Sequence, residues 1–278
     1  MSKYSSYLPK NYKFKFIKYK KEGYKSIITI NRESKLNCLN LETIRELTLA
    51  FKEASWDDEI AVIILTGAGK RAFSTGADVT EQNEFFVANP DDYYKWMYEF
   101  IQLHEVMRNV GKPTIARLNG MVVGGGNELN ISCDLAIAAD HVIIKQVGPR
   151  MGSVPAAGAT QFLPVIVGDR RAREIIFLCE DISADKALEW GLVNQVVPYN
   201  ELDDAVNLMA EKLYNKLPEC LRYAKQQLNF WKDFSWHTTI GHARDWLAIH
   251  NLSPEVKEGI SAFNKKRKVN YKKIRSKK

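Results

Sequence analysis

Through the first 165 or so residues, short apolar runs alternate with stretches whose apolar residues recur every three or four positions. Tyr12 to Lys20 alternates apolar and basic residues, which predicts a strand with one wet face, and Gly23 turns it into a partner at Tyr24 to Ile30. A polar loop over 31–40 precedes a helix at Leu41 to Ala54 with Ile44, Leu47 and Phe51 on one face. The apolar run Ala61 to Thr66, closed by Gly67 and Gly69, predicts a strand buried on both faces. Phe73 to Asp78 reads as a loop, and Glu81 to Asp92 shows no period and reads as a mobile stretch. Tyr93 to Val110 is a predicted helix, followed by strands at Thr114 to Leu118, Asp134 to Ala139 and Val142 to Val147. Helices then dominate: Asp169 to Leu178, Ser183 to Trp190, Leu202 to Lys216, Pro218 to Trp231 and His237 to His250. This order predicts an α/β protein around a mainly parallel sheet with right-handed crossovers. The expected organisation is a core over 1–200, a helical region over 201–264 and a basic tail over 265–278.

Charge refines the picture at one end only. The net charge is +7, but nine basic and no acidic residues fall between Lys265 and Lys278, which leaves the remainder slightly acidic. A run of that kind predicts a solvated, mobile tail. Single-stranded nucleic acid needs aromatic residues among the charges, and only Tyr271 occurs there, so no nucleic-acid partner is expected. Met1 to Tyr12 lacks the apolar stretch of a secretory signal, and no run approaches the roughly 18 apolar residues of a membrane span. Cys38, Cys133, Cys179 and Cys220 lie far apart without a paired histidine, and the five histidines lack metal-ligand spacing. Reduced thiols, a cytoplasmic location and no bound metal are the expectations.

The chemistry concentrates in two glycine turns. Gly67-Ala68-Gly69-Lys70 fails as a P-loop because Ile64 and Arg71 occupy positions that need glycine and Ser or Thr. Gly124-Gly125-Gly126 lacks the spacing of a dinucleotide fingerprint, so no nucleotide cofactor is implied. The triple glycine instead offers uncovered amides at a helix start, a site for negative charge. Thr75-Gly76-Ala77 follows a separate buried strand and can aim another amide at the same point, making an oxyanion hole; alternatively, both turns merely allow close packing. Glu128, three residues into the glycine-started helix among Val122, Val123, Leu129 and Ile131, is either a capping group or a buried acid suited to proton transfer. Tyr93, Tyr94, Trp96 and Met97 read as core or as a pocket wall.

Taken in order, Phe73-Ser74-Thr75-Gly76-Ala77-Asp78, Asn119-Gly120 with Gly124 to Glu128, Cys133-Asp134 and Gly152-Ser153-Val154-Pro155 resemble the signatures of the enoyl-CoA hydratase/isomerase (crotonase) superfamily. Lys35 to Leu39 resembles its coenzyme A loop, and 184–197 with 258–267 its later helices. The resemblance spans about residues 15 to 270. It implies a spiral of strand-strand-helix repeats with a C-terminal helical region that builds homotrimers or dimers of trimers. It also implies an acyl-CoA thioester as substrate, with coenzyme A present only as part of it and no separate cofactor. Ala77 and Gly125 would bind the thioester oxygen, and Glu128 would activate water or move a proton. Lys35, Leu36, Cys38, Ser74, Gly76, Asp78, Gly124 and Arg150 would line the substrate and coenzyme A path. Some relatives bind RNA, which leaves a non-catalytic reading as a remote alternative.

One position departs from the hydratase pattern. The second catalytic glutamate of hydratases aligns with Gly148. Around it, Gln146 to Ser153 is more similar to naphthoate synthases and to oxocyclohexene-carbonyl-CoA hydrolases, and the latter also keep a Gly-Gly-x-Glu. The expectation is therefore an enoyl-CoA hydratase or isomerase, with a ring-opening or C–C bond hydrolase or synthase as the rival. Glu81, Glu84 and Arg150 are candidate second groups.

Overall fold

The computed structural model describes residues 12–276. The stretch read for a secretory signal, apart from Tyr12, and the last two tail lysines lie outside them. The chain opens with strands β1 (Ile17–Glu22) and β2 (Lys25–Ile30), an antiparallel hairpin turned at Gly23 with φ +57°. β1 starts five residues later than the alternation predicts, and the reason is local. The Glu46 carboxylate accepts the amides of Lys15, Phe16 and Ile17 at 2.6, 2.8 and 3.1 Å, so these three amides are not free for a partner strand. Glu46 belongs to helix α1 (Leu41–Trp56), whose N-terminus is capped by the Asn40 side chain accepting the Thr43 amide at 3.0 Å.

From there consecutive strands are dealt alternately to two sheets. β3 (Val62–Gly67) enters the first sheet and β4 (Ala72–Ser74) the second, followed by the short helix α2 (Val79–Glu81), a turn over Gln82–Phe86 and helix α3 (Pro90–Asn109). β5 (Thr114–Leu118) and β6 (Met121–Val123) repeat the division before α4 (Gly125–Ser132). β7 (Leu135–Ala139) and β8 (Ile143–Lys145) do so again, followed by α5 (Gly148–Met151), α6 (Ala159–Val167) and α7 (Asp169–Leu178). β9 (Ile182–Ser183), α8 (Ala184–Glu189) and β10 (Gln195–Val197) close the two sheets. The first has the order β1-β2-β3-β5-β7-β10 and is parallel beyond the hairpin; the second is β4-β6-β8-β9. The two-sheet division corrects the reading of one sheet. Strands of three residues inside glycine-rich turns carry too little alternation to be recognised from sequence.

Every residue of β3 is buried, as its unbroken apolar run requires, and the core spreads outward from it through Ile28, Ile115 and Ile137 on the neighbouring strands. The stretch read as mobile is instead held in place: Asn89 caps α3 ahead of Pro90, and Gln82 is buried. The C-terminal third consists of α9 (Leu202–Tyr214), α10 (Pro218–Leu228), α11 (Phe230–His250), α12 (Pro254–Asn264) and α13 (Tyr271–Arg275). Residues 232–236, read as a break between helices, continue α11 through the buried Trp236. No helix among the described residues is long and apolar enough to cross a membrane.

The tail is exposed but tied back as far as Asn270. Arg267 donates to the Glu258 carboxylate at 2.5 and 3.0 Å, and the Asn270 amide donates to it at 2.8 Å. Those contacts, the Arg267 guanidinium foremost, pull the Glu258 carboxyl down to about 2. The charge run therefore begins fastened against α12 rather than free.

Candidate active site

Gly124, with φ +55°, turns the chain out of β6 so that Gly125 begins α4. Its conformation is one that side chains rarely adopt, which explains the glycine. Opposite it, Gly76 (φ +79°) turns the chain after β4, and a Cβ there would lie 2.8 Å from the Gly125 nitrogen and 2.9 Å from the Val123 oxygen. The two turns are thus in direct contact, and only hydrogen fits between them. The Leu39 amide donates to the Gly76 carbonyl at 2.8 Å and the Asp78 amide to the Leu39 carbonyl at 2.9 Å. This bridge leaves the Ala77 amide between them uncommitted; neither it nor the Gly125 amide donates to a group among the described residues.

Both amides border one cavity of about 190 Å³. Glu128 lines the same cavity, one helical turn beyond Gly125 and so on the same side of α4. Its side chain is 4 % exposed, and the Ala157 amide donates to its carboxylate at 2.8 Å. Burial pushes this carboxyl up to about 7, against the lowering pull of the Ala157 and Ala159 amides. Tyr93 is the other titratable side chain lining the cavity among the described residues. Its hydroxyl is pushed up to about 12, chiefly by burial, with the Asn251 amide lowering it and the Glu128 charge raising it.

A carboxyl held near 7 makes a definite pH dependence. The carboxylate form accumulates as pH rises, so kcat/KM for a step using Glu128 as base should climb through an apparent pKa near 7. A profile flat from roughly pH 5.5 to 8.5 would contradict that role. Because the folded-state value lies above the unfolded one, Glu128 favours the folded state at low pH, and that contribution is lost as pH rises through about 7.

A second, larger groove of about 810 Å³ meets the inner cavity at Thr75, Ala77, Val79, Val147 and Met151. Its walls carry Lys35, Arg150, Lys266, Arg267 and Lys268. Leu36, Cys38 and Asp78 also border it. The Asp78 carboxylate is engaged, however, pairing with Arg32 at 2.8 Å and capping α2 through the Thr80 and Glu81 amides. Burial raises this carboxyl, but Arg32 and the Glu81 amide overcome the effect and hold it below its ordinary value. Arg32 also donates to Cys38 Sγ at 3.2 Å, so the pair fastens the groove wall.

Several expectations need correction. Ser74 is fully buried, its hydroxyl accepts the Gly76 amide at 3.3 Å, and it borders neither cavity. It shapes the turn and lines neither space, because the Gly126 helix start is packed against its backbone. None of the proposed second groups reaches the inner cavity. Glu81 accepts the Leu41 amide at 2.9 Å, Glu84 is exposed, and Arg150 borders the outer groove. Gly148 does border the inner cavity, where the second hydratase acid was expected. Of the aromatic group, Tyr93, Trp96 and Met97 are both core and cavity wall, whereas Tyr94 is exposed beneath Arg244. Gln82, Gln146 and Asn251 also line the cavity and were not recognised in the sequence. Among the described residues no cluster of His, Cys, Asp and Glu can hold a metal ion.

Consecutive strands shared between two sheets, with a cavity at the glycine start of α4, are the architecture of the crotonase fold. The chain belongs to the enoyl-CoA hydratase/isomerase family, whose sequence model matches residues 22–275. It is similar to an enoyl-CoA hydratase from Bacillus anthracis, with 31% identity over 92% of this chain and 98% of that one and a TM-score of 0.75. An enoyl-CoA hydratase from Mycobacterium avium subsp. paratuberculosis K-10 superposes at a TM-score of 0.83 with 25% identity, over 92% of this chain and 98% of the other. DspI from Pseudomonas aeruginosa gives 30% identity and a TM-score of 0.74, over 83% of this chain and 93% of that one.

Proposed function

We infer that the protein hydrates an α,β-unsaturated acyl-CoA through a thioester enolate. The observation that carries this reading is the shared cavity: two uncommitted amides, Ala77 and Gly125, beside one buried carboxyl held near 7. In the reaction the thioester oxygen accepts both amides, and the positive end of α4 adds to the stabilisation as negative charge develops. The Glu128 carboxylate takes a proton from water as the water oxygen bonds to the β-carbon. The resulting carboxylic acid then returns a proton to the α-carbon, the enolate collapses to the thioester, and the net change is one added water. A single carboxyl suffices for both transfers because its pKa lies near neutrality.

Gly148 at the position of the second acid supports a second reading, in which Glu128 directs water at a carbonyl and a C–C or thioester bond breaks. The two are separated by incubating the protein with crotonyl-, aromatic and cyclic enoyl-CoA thioesters and following mass. Hydration adds 18 Da with the thioester intact, isomerisation changes no mass, and appearance of free thiol or a ring-opened product supports cleavage. No turnover of any thioester would overturn both readings.

The outer groove is read as the coenzyme A path, its cations facing the phosphates. Replacing Lys266 and Lys268 together by Ala should raise KM severalfold more than it lowers kcat, with a loss that shrinks as salt is added. An unchanged KM would remove the tail from the binding site.

Self-association is also proposed. Leu217, Tyr223, Leu228, Phe230, Trp231 and Phe234 are exposed on and beside α10 and α11, more apolar surface than isolated exposed residues make. Covering this face with further copies of the chain gives a trimer or a pair of trimers. Sedimentation velocity should find one of those masses; a monomer at micromolar concentration contradicts the assignment.

A further inference from the structure

Tyr93 stands in the first turn of α3 and lines the same cavity as Glu128, with 6 % of its surface exposed. The other side-chain donors of that wall are spent or sealed. The Thr75 and Ser153 hydroxyls donate to the Leu36 and Val154 carbonyls at 3.2 and 3.5 Å, and the Gln146 amide donates to the Gly124 carbonyl at 3.5 Å. Gln82 Nε2 and Trp96 Nε1 are buried without opening onto the cavity. The Asn251 amide, on the residue that closes α11, meets the Tyr93 hydroxyl as a donor to its oxygen. The Tyr93 O–H is therefore the side-chain donor still free to act in the cavity among the described residues. It is also always present, because burial above all pushes this hydroxyl up to about 12 and keeps it protonated at neutral pH. Glu128 and Tyr93 are near without being bonded. The carboxylate accepts the Ala157 amide at 2.8 Å and not the hydroxyl, yet its charge reaches Tyr93. A donor and an acceptor that face one small space in this way suit a water between them, which accepts from the phenol and donates to the carboxylate.

We propose that Tyr93 is a second catalytic residue, whose hydroxyl holds the reacting water against the Glu128 carboxylate where Gly148 offers no side chain to do so. The inference rests on reading Glu128 as the group that activates water, and it adds the group that fixes the direction of that water. One lone pair of the water accepts the Tyr93 O–H and one hydrogen goes to Glu128, so the remaining lone pair is turned toward the β-carbon. As the O–C bond forms, the proton passes to Glu128 and the phenol stays on the new hydroxyl oxygen. Tyr93 thus gives up no proton and takes none, and the single carboxyl still performs both transfers. In the reverse direction the same O–H steadies the departing hydroxide.

Two reactions at one site separate this role from a structural one. Hydration needs the held water, whereas exchange of an α-hydrogen of a saturated acyl-CoA in D2O uses Glu128 and the two amides but no water at the β-carbon. Tyr93→Phe should slow hydration of an enoyl-CoA about tenfold, chiefly in kcat, and leave the exchange rate, read as mass gain, at the wild-type value. Hydration at the full rate overturns the proposal while the acyl-CoA reading stands. Equal loss of both reactions also overturns it, because the residue then only supports the chamber. Wild-type protein that performs neither reaction refutes the acyl-CoA reading and this inference with it. A crystal structure of the wild-type protein tests the same point without any variant. It should show a water within about 2.6–3.2 Å of both the Tyr93 Oη and a Glu128 carboxylate oxygen. A direct hydrogen bond between Tyr93 and Glu128, with no water between them, overturns the assignment.

Discussion

Glu128→Gln should lower turnover about 10²- to 10⁴-fold, the usual contribution of a positioned acid or base, while acyl-CoA still binds with nearly the wild-type affinity. Glutamine keeps the shape of the side chain and an oxygen for the Ala157 amide, but it cannot take or return a proton at neutral pH. The fold should tolerate the change. The glutamate is buried at a carboxyl raised to about 7, and replacing it removes the cost of ionising it in that setting. Isothermal titration with a non-reacting acyl-CoA separates the two effects. Full activity in the variant would move the proton transfer to another group, and Tyr93 is the other titratable side chain in the chamber among the described residues.

A second large effect is expected at Gly76. Gly76→Ala places a methyl group 2.8 Å from the Gly125 nitrogen, on a residue with φ +79°, so the two amide-bearing turns must separate. Loss of one donor of this kind costs about 10²- to 10³-fold in kcat. The control is Gly23→Ala. Gly23 also has positive φ, +57°, but a Cβ there meets nothing within 4 Å. That substitution should cost about 1–2 kcal/mol of stability through backbone strain and leave turnover alone. If both variants lose stability equally and neither loses activity, the contact between the two turns has no part in catalysis.

Parts of this site were legible in the sequence because their chemistry is local. The adjacent glycines 124 to 126 announce a helix start free of side-chain cover, and Glu128 follows at a spacing that returns it to the same side of the helix. The buried strand β3 is an unbroken apolar run with glycine at its end. What remained hidden depends on the fold. Gln82 lies in a turn without period and Asn251 at the end of a helix 169 positions away, and only the packed structure brings both to the cavity. Ser74 sits inside a recognisable motif, yet its hydroxyl is spent on its own turn. Helix α6 was not recognised because Pro164 interrupts it and Gly158 and Gly168 bound it, signals that ordinarily mark loops. β4 and β6 have three residues each, and what makes them strands is the pairing of one with the other.

The measurement closest to the central claim is a crystal structure with a 3-oxoacyl-CoA bound, whose enolate form resembles the species the site is built to hold. The account predicts the thioester oxygen at about 2.7–3.1 Å from both the Ala77 and Gly125 nitrogens. It also predicts the Glu128 carboxyl facing the reacting carbons and the phosphates along Lys35, Lys266 and Lys268. A thioester oxygen pointing into solvent, or received by amides other than these two, would contradict it.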